Sequence, residues 1–446
     1  MASTPNRKMA LTLFCLPFGY HTDAWRHPES RAEELGHLEF TRDIVQAAER
    51  AKIHAVFFAD SQDATSVRTG GNRATGINEP ISSMGAMIPL SEKVGLMGTM
   101  STTFEEPYNV ARQLAGLDTL SSGRIGWNIV TSIFGNQNYG LARMPDPAIR
   151  YRRATEFVEV VKKLWDSWES DAVISDREGG WWVDPDKMHD INHVGEFFNV
   201  QGPLNMPRPP QGHPVLIQAG QSEDGIGLGS SVADAIYTAQ AEKENSQAWY
   251  AAFKAKVQAK GRDPELVKIL PGIMPIIGET QAEADEIAAE LASYINPVHA
   301  RKTVERVLYV DTSDLDMDER VPAERLVDSD EHHSRWHTIY KPMALRMTIR
   351  EMGVELSRAS GHQWVAGTAQ SVADLMIDWF DSRACDGFNL NPPHIPVGMH
   401  KMLDLLVPEL QERGYFQEDY RGDTLRERMG LRIIEPGRAK APTIIH

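Results

Sequence analysis

Short runs in which apolar and polar residues alternate recur along the chain. Between them lie stretches with apolar positions three and four apart, so strands and helices are predicted in turn. Met9–Leu16 reads as a first strand, followed by a helix over Glu33–Lys52 with Leu35, Leu38, Ile44, Val45 and Ala48 near helical spacing. His54–Ala59 reads as the second strand and ends at Asp60; a polar, glycine-rich loop covers Ser61–Asn78, and Pro80 opens a helix. Val94–Met100 is the third strand and Pro107–Leu120 the next helix. After the turn Ser121–Gly123, the alternation of Ile125, Trp127 and Ile129 marks a fourth strand. Tyr151–Trp168 places Tyr151, Ala154, Val158, Val161, Leu164, Trp165 and Trp168 on one helical face.

The rhythm breaks over residues 171–213, which read as an inserted hairpin and loop, and again over 294–340, a charged stretch with no clear period. Pro214–Ala219, Ala233–Thr238 and Ile269–Ile277 supply strands five to seven, each followed by a helix. Gln370–Arg383 is a helix, Gly387–Asn391 the eighth strand and Gly398–Arg413 the closing helix. Eight βα units imply parallel strands joined by right-handed crossovers. The expected fold is therefore an α/β (β/α)8 TIM barrel, one domain over residues 1–446 with two large insertions.

Composition narrows the function classes. The 446 residues are 41% hydrophobic and 24% charged, an ordinary balance for a chain with a large core. A net charge of −16 argues against nucleic acid or an anionic membrane as partner. The two cysteines, Cys15 and Cys385, make no disulfide framework and suit a reducing cytoplasm, the expected location. The apolar patch near the amino terminus is broken by Pro17 and lacks a small-residue cleavage site, so it reads as a leader and first strand rather than a signal peptide. No apolar run reaches the ~18–20 residues that span a bilayer.

Candidate chemistry gathers where strands end. Ligands of parallel α/β folds sit at the carboxyl ends of strands. There the sequence places Asp60, the run Ser101, Thr102 and Thr103, the group Asn128, Thr131 and Ser132, and Asn389 with Asn391. The loop after the first strand, GYHTDAWRHP, carries His21, Trp25 and His27, and Phe58 closes the second strand, where either a pocket or a core position suits it. PVLIQAGQSEDG runs from a strand through Gly220 to Ser222 at an expected helix start, where free N–H groups and the helix dipole favour an anion. A plain Ser cap with Glu223 and Asp224 in the first turn explains the same residues, and from the residues alone it is the simpler account.

Other motifs carry less. GIGLG (225–229) has the wrong glycine spacing for a dinucleotide fold and falls inside the expected helix. HDINH places His189 and His193 four apart, but Asp190 stands where a zinc protease needs Glu, so no metal site is expected. His332, His333 and His337 read as a solvated or lid surface.

GRIGWNIVTS around the fourth strand is similar to the barrel strand of the flavin-dependent monooxygenases related to bacterial luciferase. The branch it resembles holds nitrilotriacetate monooxygenase component A, pristinamycin synthase and dibenzothiophene-sulfone monooxygenase. The likeness continues through WDSWESDAV (165–173), residues 189–220, VADLMIDWFDSRACDGFNL (372–390) and VPELQERGYF (407–416), nearly the whole chain. The resemblance implies an FMNH2-dependent monooxygenase with O2 as co-substrate and a separate NAD(P)H:flavin reductase as partner. It also implies oxidation of a small molecule next to nitrogen or sulfur, with C–N or C–S cleavage, and a homodimer or homotetramer.

For individual residues, the resemblance gives the FMN phosphate to Gly220, Ser222, the Glu223 backbone and Tyr151. Pro147 stands where relatives have a second phosphate ligand, a histidine. Asp60, a hydroxyl near Thr102, and Asn128 or Thr131 would line the flavin. His21 becomes the candidate proton donor or substrate contact, with Trp25, Phe58 and Asn391 shaping the substrate pocket. The insertion 294–340 is a candidate lid. Rival accounts are an F420-dependent oxidoreductase on the same barrel, a flavin-binding protein without turnover, and a nicotinamide dehydrogenase built on GIGLG.

Overall fold

The eight strands predicted from alternation close on one another. They are β1 (Ala10–Cys15), β2 (Ala55–Phe58), β3 (Gly95–Ser101), β4 (Ile125–Val130), β5 (Val215–Gln218), β6 (Ala235–Thr238), β7 (Lys268–Ile277) and β8 (Gly387–Leu390). The computed structural model describes residues 7–63, 79–328 and 335–434. Every neighbouring pair is parallel, and the ring shuts where β6 meets β7 and β8 lies between β7 and β1. This is a (β/α)8 barrel.

Strand alternation divides the side chains into two layers. Ala10, Ala55, Phe57, Met97, Val215, Ile217, Ala235, Tyr237 and Leu270 form the barrel interior, closed below by Leu425, Met429 and Leu431. Leu11, Leu13, Val56, Phe58, Leu96, Ile125, Trp127, Ile129 and Leu216 pack outward against the helices. Helix Pro147–Trp165 is the best example of that outer layer. Pro147 takes the first helical position, where its missing N–H costs nothing, and Ala154, Phe157, Val158, Val161, Leu164 and Trp165 are buried.

Several boundaries differ from the sequence expectation. The first helix begins at Leu38 rather than Glu33, because Gly36 turns the chain at φ 85 and leaves only a single turn at Ala32–Glu34. The helix expected from Tyr151 starts a turn earlier, at Pro147, and stops at Trp165. One strand was not foreseen. β7 is ten residues long and outruns the barrel wall, and its upper half, Ile273–Ile277, pairs with an added parallel strand, Gln363–Gly367.

Residues 171–213 hold an antiparallel hairpin, Val173–Asp176 with Trp181–Val183, and a second short one, His193–Val194 with Asn199–Val200. The stretch 294–340 contains helix Pro297–Leu308, which the charge-rich sequence conceals. With later segments it builds a core of its own from Val304, Leu308, Val321, Leu326, Trp336, Met343, Met352 and Leu356. Most of the glycine-rich loop after Asp60, and His332 and His333, lie outside the described residues. Among the described residues no helix is long and apolar enough to cross a membrane.

Candidate active site

The carboxyl ends of β2, β3 and β4 are tied together by side chains. Asn128 points inward, and its Nδ2 donates to Thr99 Oγ1 at 3.0 Å, while that hydroxyl donates to the Phe58 carbonyl at 3.1 Å. Ser101 and Ser132 share a hydrogen bond of 2.8 Å. Asp60, Thr99, Ser101 and Ser132 line a cavity of about 120 Å³. Burial raises the Asp60 carboxyl above the usual carboxylate range, with a smaller push from Glu79.

Thr102, favoured by sequence, lies deeper. It is fully buried and its hydroxyl donates to the Val130 carbonyl at 3.2 Å, so the hydroxyls of β3 that face the cavity are Thr99 and Ser101. Thr131 is buried beside them, and its carbonyl accepts from Arg150 Nη1 at 2.8 Å.

A second cluster forms where β5 runs into helix Glu223–Val232. Ser222 caps that helix, accepting from the Gly225 N–H at 3.1 Å, and its hydroxyl lies 3.4 Å from the Tyr151 hydroxyl. Two hydroxyls thus meet at a helix N-terminus, the arrangement that suits a phosphate. Glu223 and Asp224 are exposed, so their carboxylates reach water while the backbone N–H groups remain at the turn. Gly220 leaves this space open: a Cβ there would come within 2.4 Å of Gln218 Nε2, 3.0 Å of Gly225 Cα and 3.2 Å of the Tyr151 hydroxyl. Pro147 offers no side-chain donor, and two arginines stand at the same helix end. Arg150 holds the carbonyls of Thr131 and Ser132, and Arg153 those of Thr102 and Glu105. They fix the loops after β3 and β4 and bring positive charge to that side of the mouth.

The third side of the mouth belongs to β1 and β8. Tyr237 donates to Thr12 Oγ1 at 3.2 Å, Thr12 donates to Asn389 Oδ1 at 2.8 Å, and Asn389 Nδ2 donates to Asn391 Oδ1 at 3.3 Å. His21 is buried and its Nδ1 accepts from the Asp23 N–H at 3.2 Å. Trp25 is 40% exposed on the single turn Ala24–Arg26.

Phe58 requires a correction. It points outward into the strand–helix layer, and its neighbour Phe57 faces the interior beside Phe14 and Tyr237. The four residues AVFF carry no alternation that could settle the parity. Sequence reasoning also passed over His394, which is buried and stacks on His27 at 4.4 Å; burial pushes it down to about 3. Its place in NPPHIP, directly after β8, was the available signal.

Buried polar atoms without a hydrogen-bond partner among the described residues gather at these strand ends. They include Asn128 Oδ1, Gln218 Oε1, Thr238 Oγ1, Thr103 Oγ1 and Asn391 Nδ2. Native proteins satisfy nearly all buried polar groups, so such a concentration marks a ligand surface. Gln218 and Thr238 end apolar strands just as Asn128 does, a signal present in the sequence and not used.

The remaining motifs have structural roles. His189 and His193 contact Glu169 and Glu156, each at 3.0 Å, on extended backbone, and no metal-ligand cluster exists among the described residues. Gly229 of GIGLG lets its helix approach β6, since a Cβ there would lie 2.8 Å from Ile236 Cδ1. Burial pushes the Cys15 thiol up to about 12, which leaves it unreactive.

Comparison with known proteins adds an independent line. The family described as luciferase-like monooxygenase matches residues 14–384. The chain is 41% identical over 434 residues to the N-acetyl-S-(2-succino)cysteine monooxygenase of Bacillus subtilis (strain 168), covering 96% of this chain and 98% of that protein. It is 36% identical over 441 residues to nitrilotriacetate monooxygenase component A of Aminobacter aminovorans, covering 96% and 97%. Riboflavin lyase (RcaE), solved with modified FMN and its substrate riboflavin, superimposes with a TM-score of 0.86 at 29% identity, covering 96% of this chain and 97% of that one.

Proposed function

This chain belongs to the luciferase-like monooxygenases and is a flavin-dependent monooxygenase; from that premise we propose that it is the FMN-using oxygenase component of a two-component system. A separate NAD(P)H:flavin reductase supplies reduced FMN, and the substrate is a small organic molecule oxidised next to nitrogen or sulfur, with C–N or C–S cleavage. The relatives named for a succinylated cysteine, and for nitrilotriacetate with a component A, support the substrate class and the division of labour.

The observation that carries the cofactor assignment is the cradle of Ser222, Tyr151 and the helix N-terminus, set beside unpartnered buried polar atoms on the same mouth. The residues fit FMN. Ser222, Tyr151 and the N–H groups after Gly220 hold its phosphate, and Arg150 and Arg153 add positive potential. Asn128, with Thr99 behind it, and Asp60 meet the ring edge. Bound reduced FMN supplies the activation of O2 and the transfer of one oxygen atom. The protein must bind and orient both partners and keep water out. His21, buried after β1, is the candidate to hold or deliver a proton at its imidazole, and the described parts of the insertion 294–340, residues 294–328 and 335–340, are the candidate lid.

The test is a titration with FMN and with F420, followed by oxygen-electrode assays with a flavin reductase and a panel of amines, aminocarboxylates and sulfur compounds. Tight FMN binding with substrate-dependent O2 uptake is expected. Preference for F420 overturns the oxygenase assignment, and FMN binding without uptake for any substrate reduces the chain to a flavin carrier.

A further inference from the structure

The loop between β4 and helix Pro147–Trp165 is tied at both ends by one side chain. Arg150, in the first turn of that helix, donates from Nη1 to the Thr131 carbonyl at 2.8 Å and to the Ser132 carbonyl at 2.7 Å. Its Nε donates to the Pro145 carbonyl at 2.9 Å. Arg150 is 9% exposed. The acceptors come from two segments and are reached by two nitrogens of one planar fork, a spread that an ammonium does not have.

What this fork holds is the ring side of the candidate flavin site. With the Ser132 backbone fixed, its hydroxyl lies 2.8 Å from Ser101 Oγ, and Ser101 Oγ accepts from the Thr103 and Phe104 N–H groups at 3.1 and 3.3 Å. Ser132, Ile133 and Phe134 form one wall of the cavity that Asp60, Thr99 and Ser101 help to close. These three residues belong to no strand or helix, so side-chain ties set their place.

The next residue serves the other side of the site. Tyr151 brings its hydroxyl to 3.4 Å from Ser222 Oγ. Neighbouring residues on a helix point about 100° apart, so one turn reaches the loop after β4 with Arg150 and the cradle after β5 with Tyr151. The charge of Arg150 is not cancelled by what it holds. Its three partners are neutral carbonyls, and Asp146, the nearest acid along the chain, is exposed. Burial works against the charged guanidinium, and Tyr151 and Asp146 offset that only in part. A buried cation in this condition gains from an anion nearby, even one it does not touch.

We propose that Arg150 is a positioning residue with two separable effects on FMN: its fork holds the Ser132–Phe134 wall of the ring-side cavity, and its charge favours the phosphate at Ser222 and Tyr151. The inference rests on the FMN assignment proposed above.

The test compares FMN with riboflavin, which has the same ring and no phosphate. Dissociation constants come from fluorescence titration, and visible circular dichroism of the bound flavin reports the surroundings of its ring. A urea melt of each variant gives the folded fraction to which binding is referred. Arg150→Lys keeps the charge and loses the fork. Both flavins should then weaken alike by about fivefold or more, the dichroism should change, and the preference for FMN should stay within about twofold of wild type. Arg150→Gln loses the charge as well, so that preference should itself fall by about fivefold or more. Ser132→Ala leaves the bonds of Arg150 intact and removes the hydroxyl they place; it should change the dichroism and keep the preference, and it carries the positioning test if the lysine variant does not fold. Constants and dichroism that match wild type in Arg150→Lys, as a merely structural role predicts, overturn the positioning effect. An unchanged preference in Arg150→Gln overturns the effect of charge. A wild-type chain that binds neither flavin instead defeats the cofactor assignment, and it is titrated first.

Discussion

The two ends of the barrel treat buried polarity in opposite ways. At the amino-terminal end the buried charges of Arg124, Arg426, Asp234 and Asp386 are saturated. Arg124 donates to the carbonyls of Ser121, Val94, Ile88 and Ser91 and to the Ser91 hydroxyl, at 2.8 to 3.1 Å. Arg426 meets Asp234 at 2.8 Å, and Asp234 also accepts from the Leu216 N–H at 2.9 Å. Asp386 is held by Lys254, Tyr250 and the Ile269 N–H at 2.8 to 3.0 Å. At the carboxyl end, Asn128, Gln218, Thr238 and Asn391 keep buried atoms unmatched. The first end stores stability and the second holds back binding capacity, in keeping with how barrels of this type divide their faces. The cost of an unmatched buried group, about 1–3 kcal/mol each, is tolerated where a ligand recovers it.

The largest effect should come from emptying a saturated site. Asp234→Ala leaves Arg426 as a buried, unpaired charge and should cost about 3–5 kcal/mol in a urea melt, with FMN affinity of the folded protein unchanged. Burial works to raise the Asp234 carboxyl, but Arg426 and the Leu216 N–H hold it below the usual range. Its contribution is therefore present above the ordinary carboxylate range and lost as pH falls through the depressed folded value.

Asp118 runs the other way. Burial pushes it up to about 6 although Gln211 and the Ile125 N–H support it. The folded state then binds the extra proton between the ordinary carboxylate range and pH 6, so stability from this group falls as pH rises through that window. Relative to Asp118→Asn, the wild type should lose about 1–3 kcal/mol between pH 4 and 7, read from melts across that range.

At the mouth the balance of effects reverses. Ser222→Ala removes a helix cap and the proposed phosphate ligand, and should cost about 1 kcal/mol in stability and about tenfold or more in FMN dissociation constant by fluorescence titration. The smallest change is the sharpest comparison. Thr238→Val deletes a buried hydroxyl that has no partner, so without FMN the melt should move by no more than about 0.5 kcal/mol or shift upward. A loss of 2 kcal/mol or more would place this hydroxyl with the structural groups of the opposite end.

The sequence by itself determined the repeating unit. Alternation in Met9–Leu16 or around Trp127, and the apolar stripe ending at Trp165, are local properties, and eight such units in order leave few closed arrangements other than the barrel. It also showed that strands end in polar residues, and its long likeness to flavin monooxygenases pointed to Ser222 and Tyr151, whose hydroxyls meet. What alternation cannot state is which face turns inward: Phe58, open to a pocket or a core position in the sequence, packs outward, and of the run Ser101, Thr102 and Thr103 it is Ser101 that faces the cavity, together with Thr99. Nor could it bring Arg346 and His362 to one cavity. Arg346 and His362 lie on segments laid over the mouth, and the donor Asn391 offers is fixed by a hydrogen-bond relay that begins on β6. Barrel closure and the packing of its insertions decide those contacts, because they join residues whose separation along the chain carries no local signal.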